Sequence, residues 1–176
     1  ISGAANILKT TAGTVTMAGA NTYTGYTSIN AGVLRVGDDA AFGPSGQLRL
    51  LGGTLTGIGA TGLTFGNAVL FGGDFAFGSV AETAAFTFTG ATDLGSATRT
   101  ITALVDVAFT GAVTNGNLTK AGAGALTLSG ANSFSGGLTL DAGALRAGSD
   151  TAFGAGTLTL NGGSVSSSST VARSLA

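Results

Sequence analysis

Residues 13–43 of this chain are written twice. GTVTMAGANTYTGYTSINAGVLRVGDDAAFG returns 111 residues later, at 124–154, as GALTLSGANSFSGGLTLDAGALRAGSDTAFG, with 15 of 31 positions identical. After one deleted residue the match continues: Gln47-Leu48-Arg49-Leu50-Leu51-Gly52-Gly53 answers Thr157-Leu158-Thr159-Leu160-Asn161-Gly162-Gly163. Self-similarity of this length restricts the fold to stacked, similar units that pack on their neighbours, not a structure built around one unique pocket.

Inside the long period runs a shorter one. Val15, Leu34 and Leu55 are spaced 19 and 21, and their counterparts Leu126, Leu145 and Val165 are spaced 19 and 20. A second column pairs Ile29 with Leu48 and Leu140 with Leu158. Around these positions the chain alternates apolar and polar residues, as in Leu34-Arg35-Val36, Leu48-Arg49-Leu50, Leu126-Thr127-Leu128 and Leu158-Thr159-Leu160. Residues two apart on a strand share a face, so the outer members point inward and the Thr or Arg points to solvent. Glycine bounds nearly every stretch, and Gly32 and Gly37 break the best helical fragment, 31–41. Strands recurring every 20 residues or so fit the circuits of a parallel β-solenoid, each strand bonded to the one a circuit earlier at ~4.8 Å. An antiparallel sandwich would need tight hairpins throughout, and strong hairpin dipeptides such as Asn115-Gly116 are too few to supply them.

Composition sets what such a rod can do. With 44% hydrophobic residues there is material for a core, and with 9% charged residues and a net charge of -1 the skin must be Thr, Ser, Asn and Gly. Seven Lys and Arg, scattered, form no basic stripe for nucleic acid. The absence of Cys and His removes disulfides, thiol chemistry and the commonest general base and transition-metal ligand. No apolar run approaches the ~18 residues of a membrane-spanning helix. Opening at Ile1, the chain reads as a processed or excised segment.

The run Leu118-Thr119-Lys120-Ala121-Gly122-Ala123-Gly124-Ala125-Leu126-Thr127-Leu128-Ser129-Gly130-Ala131-Asn132-Ser133-Phe134-Ser135-Gly136-Gly137 resembles the autotransporter-associated β-strand repeat. The first copy matches it through Leu8-Lys9, Gly19-Ala20-Asn21-Thr22-Tyr23-Thr24-Gly25 and Ile29-Asn30-Ala31-Gly32-Val33-Leu34. The resemblance implies an all-β fold, a right-handed parallel β-helix (β-solenoid), which the column spacing divides into eight or nine rungs of about 20 residues. It also implies an extracellular or bacterial cell-surface location, often within adhesin-like passengers, and brings no catalytic residues. The chain divides into repeat copy 1 at about 8–55, diverged rungs at 56–117 and repeat copy 2 at about 118–165, within a single domain spanning 1–176.

Several residues invite a sharper reading. Asp38-Asp39, with Asp150 repeating the second position, could bind Ca²⁺ or share a proton, but Ser149 replaces the first Asp in the second copy, so a solvated turn is preferred. Arg35 and Arg146, with Arg49 near, could form an anion ladder; outward residues keeping the rod soluble are the simpler account. Ala121-Gly122-Ala123-Gly124-Ala125 leads into a strand, unlike a nucleotide loop. Gly72-Gly73-Asp74 occurs once, whereas glycine-aspartate Ca²⁺ repeats need a tandem series. The Thr-x-Thr triplets at 14–16, 22–24, 54–56, 87–89 and 98–100 do not recur at rung spacing, which disfavours an ice-binding plane. Phe65, Phe71, Phe75, Phe77, Phe86 and Phe88 should stack inside a wider section of core.

The sequence therefore predicts a structural module without catalytic, cofactor or metal residues. Its expected partners are copies of itself or further rungs of a longer solenoid, stacked end to end into a fibre, with contact to a surface or polysaccharide. Nucleic acid is not among them, and no segment spans a membrane. A carbohydrate-active β-helical enzyme is the alternative from another class, and an ice-binding solenoid a weaker one.

Overall fold

The computed structural model describes residues 1–59 and 61–168, so the last residues of the expected 1–176 domain lie outside the described residues. Among the described residues there are twenty strands of two to six residues and no helix. Strands pair parallel in three sheets. The first face carries Ile7–Lys9, Thr27–Ile29, Leu48–Leu50, Val69–Phe71, Thr92–Asp93 and Val113–Thr114. The second carries Thr14–Met17, Val33–Val36, Thr54–Gly57, Phe75–Phe77, Thr98–Ala103, Asn117–Ala121, Leu138–Leu140 and Leu158–Leu160. The third carries Leu63–Phe65, Phe86–Phe88, Val107–Phe109, Ala125–Leu128, Ala144–Ala147 and Ser164–Ser167. The chain visits the faces in that order, so the eight strands of the second face count eight rungs, as expected of a β-solenoid.

Register follows the inward columns. Val15 pairs with Leu34 and Leu34 with Leu55, and Leu126 with Leu145 and Leu145 with Val165, as the spacing predicts. The second predicted column is two residues out: Ile29 pairs with Leu50 and Thr27 with Leu48, while Leu140 pairs with Leu160. Both choices face inward, so side-chain period alone could not separate them. Corners between strands are tight. Gly32 and Gly143 turn at φ 73° and 77°, where a side chain would be strained, and a Cβ on Gly143 would also meet the Lys120 Nζ at 2.9 Å.

The six phenylalanines of residues 65–88, and Phe109 after them, are all buried. Phe77 lies 5.2–6.5 Å, centroid to centroid, from Phe75, Phe88, Phe86, Phe71 and Phe109. Here every circuit has a strand on all three faces, and rings fill the middle. At the two ends each circuit has only two strands, with a loop closing the third side. Tyr23 and Phe42 plug that loop in copy 1, and Phe134 and Phe153 in copy 2, all buried. Phe42 rests on Phe65 at 4.7 Å, joining the loop-closed section to the strand-closed one.

The two copies do not face the same way. Copy 1 lays its paired strands on the first and second faces and its loop on the third; copy 2 lays them on the second and third faces and its loop on the first. From Ile7–Lys9 the first face climbs five pairings to Val113–Thr114, and the equivalent of Ile7–Lys9 begins one face later, at Leu118. The 111-residue period is five rungs plus one face.

One substitution pattern tracks this core. In copy 1 the buried Tyr23 hydroxyl shares a hydrogen bond with the Thr27 hydroxyl; in copy 2 the same positions are Phe134 and Leu138. Tyr23→Phe alone should cost about 1–2 kcal/mol, because it strands a buried hydroxyl, whereas Tyr23→Phe with Thr27→Leu should recover most of the loss. Urea unfolding of the two single variants and the double variant measures the coupling, and additive losses would contradict this account.

Candidate functional site

The side chains that could carry chemistry are few, so each can be followed. Asp38 accepts the Ala40 amide at 2.8 Å within its own turn. Asp39 accepts the Thr64 amide at 2.8 Å, across to the strand that opens the third face. The pair is thus divided between two backbone duties. In the second copy the Ser149 hydroxyl, in the Asp38 position, donates to the Gly130 carbonyl at 2.7 Å. Asp74, after Gly72-Gly73, accepts the Thr100 amide at 2.8 Å, and Asp106 accepts the Ala125 amide at 3.0 Å. Asp39, Asp74 and Asp106 thus each supply an acceptor to the backbone of a later circuit. No group of three or more His, Cys, Asp or Glu that could hold a metal ion occurs among the described residues.

Among the described residues the arginines form no ladder. Arg35 stands on the second face and Arg146 on the third, one face apart like the copies that bear them, and Arg49 stands on the first. Arg35 forms an ion pair with Glu82, its Nε donating at 2.5 Å, and its guanidinium is the first cause holding the Glu82 carboxyl below its ordinary value. Arg146 meets Asp106 at 3.0 Å. Arg49 lies 3.9 Å from the Tyr26 ring centroid and donates to the Gln47 amide oxygen. Arg99 donates to the Leu94 carbonyl at 2.9 Å.

The glycine run at 121–125 is a turn whose carbonyls, not amides, converge. Lys120 is fully buried, and its Nζ donates to the carbonyls of Ala121 at 2.8 Å, Gly122 at 2.7 Å and Ala142 at 3.1 Å. The last belongs to the next circuit, so one ammonium ties two turns together. Lys9 does the same in copy 1, donating to the carbonyls of Thr11 and Ala31. Oriented carbonyls around a cation are the opposite of an anion cradle. Sequence reasoning missed these lysines, although their parity was visible: Lys9 shares a face with Ile7, and Lys120 with Leu118. It also missed the asparagines that close the loop sides. Asn132 accepts the Val113 amide at 2.8 Å and donates to Ala152 O at 2.6 Å, one circuit either way. Asn21 donates to Ala41 O at 2.9 Å.

The triplets lie where their strands put them. Those at 14–16, 54–56 and 98–100 are on the second face, 87–89 is on the third, and 22–24 is in a loop. They share no common plane. What does recur at rung spacing is a single file, Thr100, Thr119, Thr139 and Thr159, pairing in succession on the second face.

This geometry, a neutral rod whose charges are tied to its own turns, agrees with what the chain is similar to. A model of the Passenger-associated-transport-repeat matches residues 7–36 and 118–147, four-strand stretches that include the Lys and Asn just described. The chain carries two autotransporter passenger repeats. An adhesin autotransporter, BmaC, of Brucella suis biovar 1 (strain 1330) is 34% identical over 147 residues. The match takes in 81% of this chain but 4% of that relative, so the chain spans a small part of its length. No solved structure matches the chain. Each matched stretch of this chain is therefore a strand with an inward Lys, a glycine turn closed on that Lys, a second strand, a loop pinned by an Asn, and a further pair of strands. No helix of the described residues is long and apolar enough to cross a membrane.

The buried lysine makes stability depend on alkaline pH. Burial pulls the Lys120 ammonium down to about 8, with the Asp106 carboxylate partly opposing. Unfolded lysine titrates near 10.4, so between the two values the unfolded chain binds more protons and stability rises with pH. Burial raises the Tyr23 phenol, with the Thr27 hydroxyl partly opposing, so above ~10 the unfolded chain ionises first and stability falls again. Urea unfolding at about pH 7 and about pH 9.5 should show the rise in the native chain and little of it in Lys120→Met. An equal rise in both proteins would contradict the assignment to Lys120.

Proposed function

We propose that the chain is a length of rigid rod in the surface-displayed passenger of an autotransporter, holding adhesive surface away from the cell and making contact through its outer faces. The observation that carries this reading is the unbroken pairing of the second face, eight strands from Thr14–Met17 to Leu158–Leu160. At ~4.8 Å per rung those strands make a rod roughly 40 Å long, and parallel pairing at every level resists bending. The name of the Brucella relative, an adhesin, supports the adhesive half of the reading.

The outer faces indicate the kind of contact. Thr, Ser and Gly dominate them, and the side-chain charges of the described residues are engaged within the chain. A partner would be met by hydroxyls, backbone and shape, which suits an uncharged, hydroxyl-rich surface such as a polysaccharide. Electrostatic steering has little part in such contact, so binding should be almost independent of ionic strength. Among the described residues no set of carboxylates converges to cleave the polymer, and the reading is non-enzymatic.

Beads coated with the purified chain should hold to cultured epithelial cells or immobilised polysaccharides better than albumin-coated beads, at low and high salt alike. Electron micrographs of the chain should show short rods. Binding no better than albumin on every surface would remove the adhesive role, and compact round particles would remove the rod. Release of reducing sugar from the polysaccharides would replace both with an enzyme.

A further inference from the structure

The two copies keep their inward residues and change their outward ones. Ile29, Leu48 and Leu50, inward on the first face, are answered in copy 2 by Leu140, Leu158 and Leu160. The alternate positions Tyr26, Ser28, Asn30, Gln47, Arg49 and Leu51 are answered by Gly137, Thr139, Asp141, Thr157, Thr159 and Asn161, with no identity. Ser28 pairs with Arg49, so the six lie together on two adjoining rungs of one side of the rod. Elsewhere the outer faces run in Thr, Ser and Gly; here they gather a phenol, two amides and a guanidinium. All ten phenylalanines and Tyr23 are buried, whereas Tyr26 is half-exposed.

These groups are bonded to one another in a way that leaves mainly donors facing out. The Arg49 Nε donates to the Gln47 Oε1 at 2.9 Å, and the guanidinium lies 3.9 Å from the Tyr26 ring centroid. The Ser28 hydroxyl donates to the Asn30 Oδ1 at 2.6 Å. Both amide oxygens are thus engaged, and what remains is the NH2 of each amide, the two Nη groups of Arg49 and the Tyr26 hydroxyl. Among the described residues these N–H groups have no partner, and no carboxylate stands within ion-pair distance of Arg49. Asp93, two pairings along the file of Arg49, is held by the Gly95 amide and the Asn115 side chain. The guanidinium is fixed before any ligand arrives, so little side-chain freedom is lost on binding.

We infer that this patch is a binding subsite for an acidic glycan, a sugar chain bearing carboxylate or sulfate groups. The inference rests on the adhesive reading above and adds where on the rod the ligand sits and what chemistry it carries. The free fork of a guanidinium matches two oxygens of a carboxylate or sulfate, and a patch of donors calls for a ligand rich in acceptors. Tyr26 and Asn30 are roughly 13 Å apart at ~3.3 Å per residue, a span that suits an extended chain better than a single ion. Leu51, 39% exposed, and the half-buried Leu70 border the donors and offer apolar surface to the C–H faces of sugar rings. Beyond Gln47 its file continues as Ala68, Ala91 and Ala112, so small side chains leave that side open to a long ligand. Contact here differs from the rest of the outer surface in one respect: it should weaken with salt.

Oligogalacturonate, with a carboxylate on each ring, is the first probe, and the same oligosaccharide with its carboxylates methyl-esterified is its blank. Titration calorimetry should show binding of the acid that weakens with salt, and of the ester at least about tenfold more weakly. Arg49→Gln should lose as much, and so should Arg49→Lys, which keeps the charge but not the fork. Arg146→Gln, on the third face, should bind like the native chain. Dextran sulfate against neutral dextran separates the two acids: binding of the sulfate alone, lost in Arg49→Gln, assigns the sulfate ester to the same subsite. The subsite is overturned if neither anion binds, or if ester and acid bind alike while the sulfate does not bind. Native affinity in an Arg49→Gln or Arg49→Lys chain whose circular dichroism matches the native chain overturns it too. Bead adhesion by the native chain to cells and neutral polysaccharides at high salt is read separately, so loss of this subsite and loss of the adhesive role give different results.

Discussion

Everything in this molecule depends on parallel backbone pairing from one circuit to the next. A strand in a solenoid has no partner of its own within its circuit, so its amides and carbonyls must be met one rung up and one rung down. This forces each inward position to repeat in kind, as in Leu126, Leu145 and Val165, because a change of size propagates along the column. It also makes the corners expensive. At a corner the backbone leaves the sheet, and its polar groups need other partners. Lys120, Asn132 and Asp39 supply them, each from a side chain that reaches into a neighbouring circuit.

That demand explains where the charges went. A chain with 9% charged residues could have spread them over its surface for solubility. Instead Lys9 and Lys120 are buried among carbonyls, Asp39, Asp74 and Asp106 take amides of later circuits, and Arg35 and Arg146 pair with Glu82 and Asp106. A buried ammonium is tolerable only because several oriented carbonyls replace its water. The same arrangement leaves the outer faces hydroxyl-rich and almost neutral, which is what gives a rod of this type its particular surface. The lack of convergence is therefore a structural consequence: even the adjacent Asp38 and Asp39 are drawn to separate amides.

Side-chain period and spacing made the inward columns legible. Val15-Leu34-Leu55 and its counterpart were readable to the residue, while the Ile29 column was read two residues out. A shift of two keeps every side chain on its face, so nothing in the hydrophobic pattern opposes it; only the length of the loop between strands fixes the choice, and loop length carries no periodic signal. The phenylalanine cluster was legible because six rings in 24 residues have nowhere to go but a core. The Asp38-Asp39 pair was legible as a turn but not as a bond to Thr64, because that contact joins residues 25 apart whose circuits differ in shape. The buried lysines were missed for another reason. Lys is normally read as surface, and the inward parity of Lys9 and Lys120 was outweighed by residue type.

The least legible feature was orientation. Two copies of a repeat suggest two equivalent displays on one side of a rod, and the resemblance of Arg35 to Arg146 encouraged that picture. Sequence periodicity counts residues, however, and a solenoid converts residues into both height and angle. Three strand-bearing circuits between the copies carry slightly more than a whole number of turns, so the second copy begins one face on. Residues equivalent in sequence are then rotated apart in space, and no contact surface can be assembled from both copies of the same motif. What does share a side of the rod is set by pairing: Thr100, Thr119, Thr139 and Thr159 come from the diverged section and from copy 2, yet form one file. In a protein of this kind, a binding face has to be sought along the columns of the sheet and not along the repeats of the sequence.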